Sequence, residues 1–366
     1  MSAQLSVQAL VVGLGPGGAS AAWQMAQAGV RVLAIDRKHR PGFPVQCAEF
    51  VPLPMSQYAC TPEIRQQTIA GMKSILPSGH VTSSAFPGLM IDRQAFDAAL
   101  VERARQASAD IAMGACLVAL DGRKNIARLN TKDGLLEVHY QVLIAADGPH
   151  SKVARLLQLA ALETVNTRQY SVPLNQPYSD TDIWLSDEYP GGYAWLFPKG
   201  NVANLGLGAD KHFANDLKTP LDQLHRRLVG DGLLGEAILA RTGGLIPVGG
   251  LRSHLHYLNR ILFVGDAAGF THPITGAGIS AAVISGEAAG RAVVDLLAGE
   301  RDSFHEYEED MRDQYEPTLR RAVERRQWLQ QYWHTPLAQD DELMRCGWIA
   351  FDEYFSMTTP DRLHCH

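Results

Sequence analysis

Residues 11–18 read Val-Val-Gly-Leu-Gly-Pro-Gly-Gly, at the end of a short, almost wholly apolar run that begins at Val7. Such a run predicts a strand covered on both faces. From Gly17 to Gly29, Ala19, Ala22, Trp23 and Ala26 recur at helical spacing, and Gly29 is placed to end that helix. Val30 to Asp36 is apolar again, so the segment predicts a strand–helix–strand unit. Gly13, Gly15 and Gly18 form a G-x-G-x-x-G turn between the first strand and the helix. In that position the first glycine permits the tight turn, the second lets backbone approach a pyrophosphate, and the third allows close helix packing. The helix start adds free N–H groups and the positive end of a dipole. Asp36, ending the second strand, is placed to accept both hydroxyls of a ribose. A dinucleotide site follows.

Further along, Asp92 to Ala107 predicts a helix with Phe96, Leu100 and Ala104 on one face. Leu117 to Val142 alternates and is broken at Asp121-Gly122 and Asp133-Gly134, as in a small antiparallel meander. Gln141 to Ala146 is another apolar strand, delivering Asp147-Gly148. Residues 165–245 change character, with Pro, Gly, Tyr and Trp among short strand-like runs. Ile261 to Val264 then leads into Gly265-Asp266, and Pro273, Gly276 and Gly278 precede a long small-residue helix from Ala277 to Leu297. Buried strands that deliver Asp147 and Asp266 to turns suit carboxylates facing a polyol such as ribitol. The second helix start suits negative charge on the N1–C2=O edge of a reduced flavin. Together these segments favour FAD over NAD. Glu306 to Trp333 predicts a charged helix, and the remaining residues look irregular.

The bulk properties narrow the class. The chain has 366 residues, 46% hydrophobic and 20% charged, with a net charge of -6. It has no long basic block, which argues against nucleic acid as a partner. No apolar run is long enough for a membrane span, and no cleavable signal is expected from the opening residues. Five irregularly spaced cysteines do not suggest a disulfide scaffold, so a cytoplasmic setting is expected.

The glycine turn with Asp36, the Asp147-Gly148 segment and the Gly265-Asp266 segment resemble the para-hydroxybenzoate-hydroxylase-type flavoproteins. Arg93, in Ile-Asp-Arg-Gln-Ala-Phe, matches that group's arginine before the helix beside the flavin. Three more stretches are similar to the geranylgeranyl reductase subfamily: Pro44-Val-Gln-Cys47-Ala48-Glu49, Gly192-Tyr193-Ala-Trp195-Leu-Phe197-Pro198, and Asn204 to Gly208. The likeness covers about residues 7 to 295 and implies an α/β fold. Its Rossmann-type FAD-binding domain would carry an inserted, mainly antiparallel β-sheet substrate domain and a helical C-terminal tail. The expected division is 1–75, 92–165 and 245–300 for FAD, 76–91 and 166–244 for substrate, and 301–366 for the tail.

The resemblance implies cofactor contacts from Gly13, Gly15, Pro16, Gly17, Gly18, Asp36 and Arg37, and from Cys47, Ala48, Arg93 and Leu117. Asp147, Gly148, Gly265, Asp266, Pro273, Gly276, Gly278 and Ile279 complete that set. It also places Cys47 at the reaction site, in a loop stiffened by Pro41 and Pro44. Tyr193, Trp195 and Phe197 alternate, so they share one strand face, either as core or as the wall of an apolar pocket.

Other candidates are weaker. His254 and His256 lack a third metal ligand, and His364-Cys365-His366 sits at a terminus, so no metal is expected. Arg320, Arg321, Arg325 and Arg326 with Trp328, Tyr332 and Trp333 suggest at most peripheral membrane contact, with a solvated face the plainer reading.

The implied reaction is reduction of a carbon–carbon double bond in an apolar, isoprenoid-like substrate by hydride from reduced flavin. Alternatives are an electron-transfer protein serving a redox protein partner in an accessory cofactor-assembly (lipoate-type) pathway, and a flavin monooxygenase. No lysine is placed to mark a halogenase. With no second G-x-G-x-x-G, electrons are expected from NAD(P)H in transient contact or from a ferredoxin-like protein.

Overall fold

The computed structural model describes residues 3–356. Its first sheet is built on the opening unit. Ala3–Val12 lies between Gly134–Ala145 and Val32–Asp36, all parallel, with Asp110–Met113 beyond on one side and Ile261–Phe263 on the other. Leu10, Val11, Leu143, Ile144 and Phe263 are fully buried, as strands covered on both faces require. The helix Pro16–Gln27 ends at Ala28, followed by Gly29 at φ 82°. It packs against the long helix Ile279–Ala298 so closely that a Cβ on Gly286 would lie 2.1 Å from the Gly17 carbonyl oxygen.

The last strand of the meander and the strand expected at Gln141 prove to be one element. Gly134–Ala145 pairs along its first half with Ile126–Thr131, which pairs with Cys116–Asp121, and along most of its length with Ala3–Val12. Alternation governs its half-exposed start and a continuous apolar run its buried end, so its periodicity changes midway.

The second sheet is mainly antiparallel, in the order Ala240–Pro247, Thr164–Pro173, Val202–Ala209, Tyr193–Lys199, Asp180–Trp184, Arg65–Ile75, Val81–Ile91, Phe50–Pro52. Two boundaries shift from the expected division. Phe50–Pro52 and Arg65–Ile75, assigned by sequence to the dinucleotide unit, pair with Val81–Ile91 and belong to this sheet. Neither segment has a clear period-two pattern, and only its strand partners assign it to a sheet. A helix, Lys218–Gly230, also lies inside the β-rich region. Its Leu221, Leu224, His225 and Leu228 face the sheet at helical spacing, a pattern masked by the surrounding turn residues.

Ser303–Gln330 is a 28-residue helix. The segment after it, expected to be irregular, holds two short helices, Asp341–Gly347 and Asp352–Phe355, that bury Leu343, Trp348, Phe351 and Tyr354. Elements of one or two turns are too short to show a helical period. Arg325 donates to the carbonyls of Tyr354 and Glu353, Arg326 is buried, and Trp333 packs into the aromatic cluster below, so these three side chains point into the protein. His256 sits edge-on to His305 and 3.7 Å from Glu308. His364, Cys365 and His366 lie outside the described residues.

Candidate active site

At the glycine turn, Gly13 has φ 100°, and a Cβ there would lie 2.3 Å from the Ala146 carbonyl oxygen; one on Gly18 would lie 1.9 Å from the Gly13 oxygen. Gly15 differs, because a Cβ there would meet nothing within 4 Å. The backbone at Gly15 thus borders open space at the helix start. Pro16 is the first helical residue, and no side chain caps this end. Asp36 holds the turn from the side: Leu14 N donates to one carboxylate oxygen at 2.8 Å and Lys38 N to the other at 2.8 Å. Arg37 is exposed beside it.

The second helix start mirrors the first. Gly278 precedes Ile279 with no side-chain cap. Asp266 accepts from the Thr271 hydroxyl at 2.6 Å, and burial pushes its carboxyl up, against Thr271 and Arg93, which lower it. Gly265 and Pro273 are buried beneath this turn, and Gly276 has φ 69°. Asp147 accepts from Val153 N at 2.9 Å with one oxygen, while its other oxygen is buried without a partner. Gly148 borders open space. Leu117 is 3% exposed, with its side chain in the core. Two uncapped helix starts, an open glycine edge and an orphaned buried carboxylate oxygen make a donor and acceptor set that fits FAD: dipoles and N–H groups for the phosphates, carboxylates for the polyols.

The Pro41–Phe50 segment spans the two sheets. Gln46 Nε2 donates to the Gly243 carbonyl at 2.7 Å, Thr242 Oγ1 to the Val45 carbonyl at 2.7 Å, and Gln169 Nε2 to the Cys47 carbonyl at 3.0 Å. Asn204 Nδ2 donates to the Ala48 carbonyl at 3.2 Å. Glu49, buried and at φ 70°, anchors the end of the loop. Its carboxylate takes Lys199 Nζ at 2.7 Å, Asn204 Nδ2 at 2.9 Å and Arg93 N at 2.9 Å. Within the loop, Glu49 N donates to the Cys47 sulfur at 3.2 Å. Burial pushes the Cys47 thiol up, and the Arg93 guanidinium opposes it. Arg93 pairs with Asp97 at 2.7 Å; burial works against its charge, but Asp97 and Cys47 hold it protonated.

Tyr193, Trp195 and Phe197 share one strand face and one cluster with Ala48 and Ile274. Trp195 Nε1 donates to Gln169 Oε1 at 3.0 Å, so Trp195, Gln169 and Cys47 form a hydrogen-bonded chain. Tyr193 Oη donates to the Thr275 carbonyl at 2.5 Å, and burial, then Cys47, push its hydroxyl up. The C-terminal segment covers this face, with the Trp348 ring 4.9 Å from that of Tyr193. His272 Nδ1 accepts from Ile274 N and Thr275 N at 3.3 and 3.2 Å, and burial lowers its pKa to about 4, so it is neutral.

The family model "Geranylgeranyl reductase catalytic domain" matches residues 164–244, and an NAD(P)-binding Rossmann-like domain matches residues 11–58. A digeranylgeranylglycerophospholipid reductase 1 of Methanopyrus kandleri is 34% identical over 86% of this chain and 87% of its own length. The chain belongs to the geranylgeranyl reductase family. A digeranylgeranylglycerophospholipid reductase of Methanocaldococcus jannaschii is 31% identical over 91% of this chain and 88% of its own. A geranylgeranyl bacteriochlorophyll reductase-like protein of Thermoplasma acidophilum shares the fold, with TM-score 0.84 at 23% identity, over 97% of this chain and 94% of its own. A myxobacterial FAD-dependent halogenase shares it at TM-score 0.66 and 17% identity, over 84% of this chain and 79% of its own.

This geranylgeranyl reductase family member is thus an oxidoreductase of the FAD-dependent fold, and FAD is the cofactor its glycine turn and helix starts fit. Among the described residues no helix is long and apolar enough to cross a membrane. The sequence singled out Cys47 and the three rings as candidates but not the residues that hold them. Glu49 was visible only as part of a motif, and Asp97 carried a signal four residues after Arg93 on one helix. Gln169 and Trp348 carried none, since neither lies near its partners in the chain.

Proposed function

We propose that this reductase saturates carbon–carbon double bonds in an isoprenoid chain lying against Tyr193, Trp195 and Phe197, with the Cys47 thiol holding the proton. The observation that carries this reading is the hydrogen-bonded path from Trp195 through Gln169 to the Cys47 backbone carbonyl, which fixes the residue that bears the thiol against the apolar face. FAD, when bound and reduced, supplies the hydride for one alkene carbon. The chain's residues supply the rest. Burial keeps Cys47 as a thiol, so it has a proton to give to the second carbon. The Arg93 guanidinium then stabilises the thiolate that remains, and Asp97 fixes that guanidinium. The aromatic face and the C-terminal cover keep the reacting bond out of water. Relatives named for digeranylgeranylglycerophospholipid support a lipid of that class as substrate.

The test supplies FAD-loaded protein with a chemical reductant and a geranylgeranyl lipid, followed by mass spectrometry. The expected product gains two hydrogens per double bond. Reductant consumed with oxygen to give a hydroxylated product, or no lipid product without a redox protein, refutes the reading.

A further inference from the structure

A cavity of about 30 Å³ lies between the start of the Tyr193–Lys199 strand, the turn holding Ile274, and the C-terminal helices. Leu185, Ile274, Leu329, Met344 and Trp348 make most of its wall apolar, and Tyr193 carries it to the face proposed above to hold the isoprenoid chain. The volume is that of about one water molecule, which is room for the oxygen-bearing tip of a longer ligand.

Two polar residues on this wall are unusual. Arg326 is 4% exposed and Trp333 is 7% exposed, and neither Arg326 Nε nor Trp333 Nε1 has an acceptor among the described residues. A buried N–H without a partner is costly, and native proteins leave few of them. Two on the wall of one apolar cavity point to an acceptor brought from outside. The local charge says which kind. Arg326 Nη2 donates to Asp210 at 2.5 Å, Nη1 donates to the Gly191 carbonyl, and Glu163 lies 3.9 Å from Nε. One guanidinium already faces two carboxylates, which leaves no positive charge for a phosphate. Gly191 is two residues from Tyr193, so at most about 7 Å of extended chain separates this end from the aromatic face.

We propose that this cavity is the oxygen-binding end of the substrate pocket: Arg326 Nε–H and Trp333 Nε1–H donate to a neutral hydroxyl or ether oxygen borne by the isoprenoid chain. The inference rests on the reductase reading and adds that recognition at this end is of an uncharged oxygen, any phosphate lying elsewhere.

The test titrates the FAD-loaded full chain, in one detergent, with geranylgeraniol, with the same polyprenyl chain lacking the hydroxyl, and with geranylgeranyl diphosphate. Binding is read from the flavin absorbance. The hydroxyl is expected to tighten binding about tenfold over the bare chain, the worth of roughly one good hydrogen bond. Trp333→Phe, which keeps a ring and loses the N–H, and Arg326→Lys, which keeps the charge facing Asp210 and loses Nε–H, should each remove that advantage. FAD content and affinity for the bare chain should not change; if Arg326→Lys fails to fold, Trp333→Phe decides alone. Equal binding of alcohol and bare chain by the wild type, retained discrimination in Trp333→Phe, or tightest binding by the diphosphate overturns the inference and leaves the reductase reading standing. Failure of the wild type to bind any of the three chains overturns both.

Discussion

Removing the Glu49 carboxylate is expected to cost the protein about 3 kcal/mol, near the low end of what breaking a buried ion pair costs. The magnitude follows from its partners. Glu49 is 4% exposed and accepts from Lys199, Asn204 and the Arg93 backbone, all within 2.9 Å. Glu49→Ala strands the Lys199 ammonium, whose side chain is only 17% exposed, and leaves two further donors unmatched. Backbone strain adds a second handle. At φ 70° alanine is as strained as glutamate, whereas glycine is not, so Glu49→Gly should be about 1 kcal/mol less damaging than Glu49→Ala. The assay is urea unfolding of the FAD-loaded chain, followed by tryptophan fluorescence and by flavin release; coincident transitions license the free energies. A double-mutant cycle with Lys199→Met isolates the pair, with an expected coupling of about 2 kcal/mol. A Glu49→Ala cost below about 1 kcal/mol, or a cycle additive within about 0.5 kcal/mol, would show that the loop is held without this carboxylate.

The two glycine changes should separate cofactor space from fold. Gly15→Ala is expected to leave apoprotein stability unchanged and weaken FAD binding, because its Cβ enters open space, whereas Gly18→Ala should destabilise the apoprotein itself. Equal effects of the two on the apoprotein melting temperature would contradict the turn geometry. Cys47 should resist alkylation at neutral pH, with its rate rising only above the ordinary thiol value of about 8.5, and Cys47→Ser should retain FAD while losing lipid reduction. Alkylation that already levels off below that value would show a thiolate instead. His272, neutral down to about pH 4 in the fold, binds a proton in the unfolded chain from about pH 6.5 downward. The unfolded state then holds the extra proton, so stability should fall as pH drops from 6.5 to 4, by at most about 3 kcal/mol. His272→Gln should flatten that limb; an unchanged pH profile would refute the assignment.

Some of this was legible in the chain itself. The glycine turn, Asp36, the Gly278 helix start and the shared face of Tyr193, Trp195 and Phe197 depend on residues within a few positions of one another. Local spacing decides φ, helix starts and strand faces, so those features could be read directly. Residues Pro41 to Phe50 show the other case. Their prolines predicted a stiff, non-helical loop, but its anchors come from Arg93, Gln169, Lys199, Asn204 and Gly243, brought together by two sheets whose registers no local pattern encodes. The same holds for Arg65–Ile75, which shows no clear alternation and which only its partners place as a strand of the second sheet. The cover over the aromatic face is the furthest removed from sequence. Trp348 reaches Tyr193 and hydrogen-bonds Ser74 across 274 residues, and such contacts depend on shape and burial, which exist only once the chain has folded.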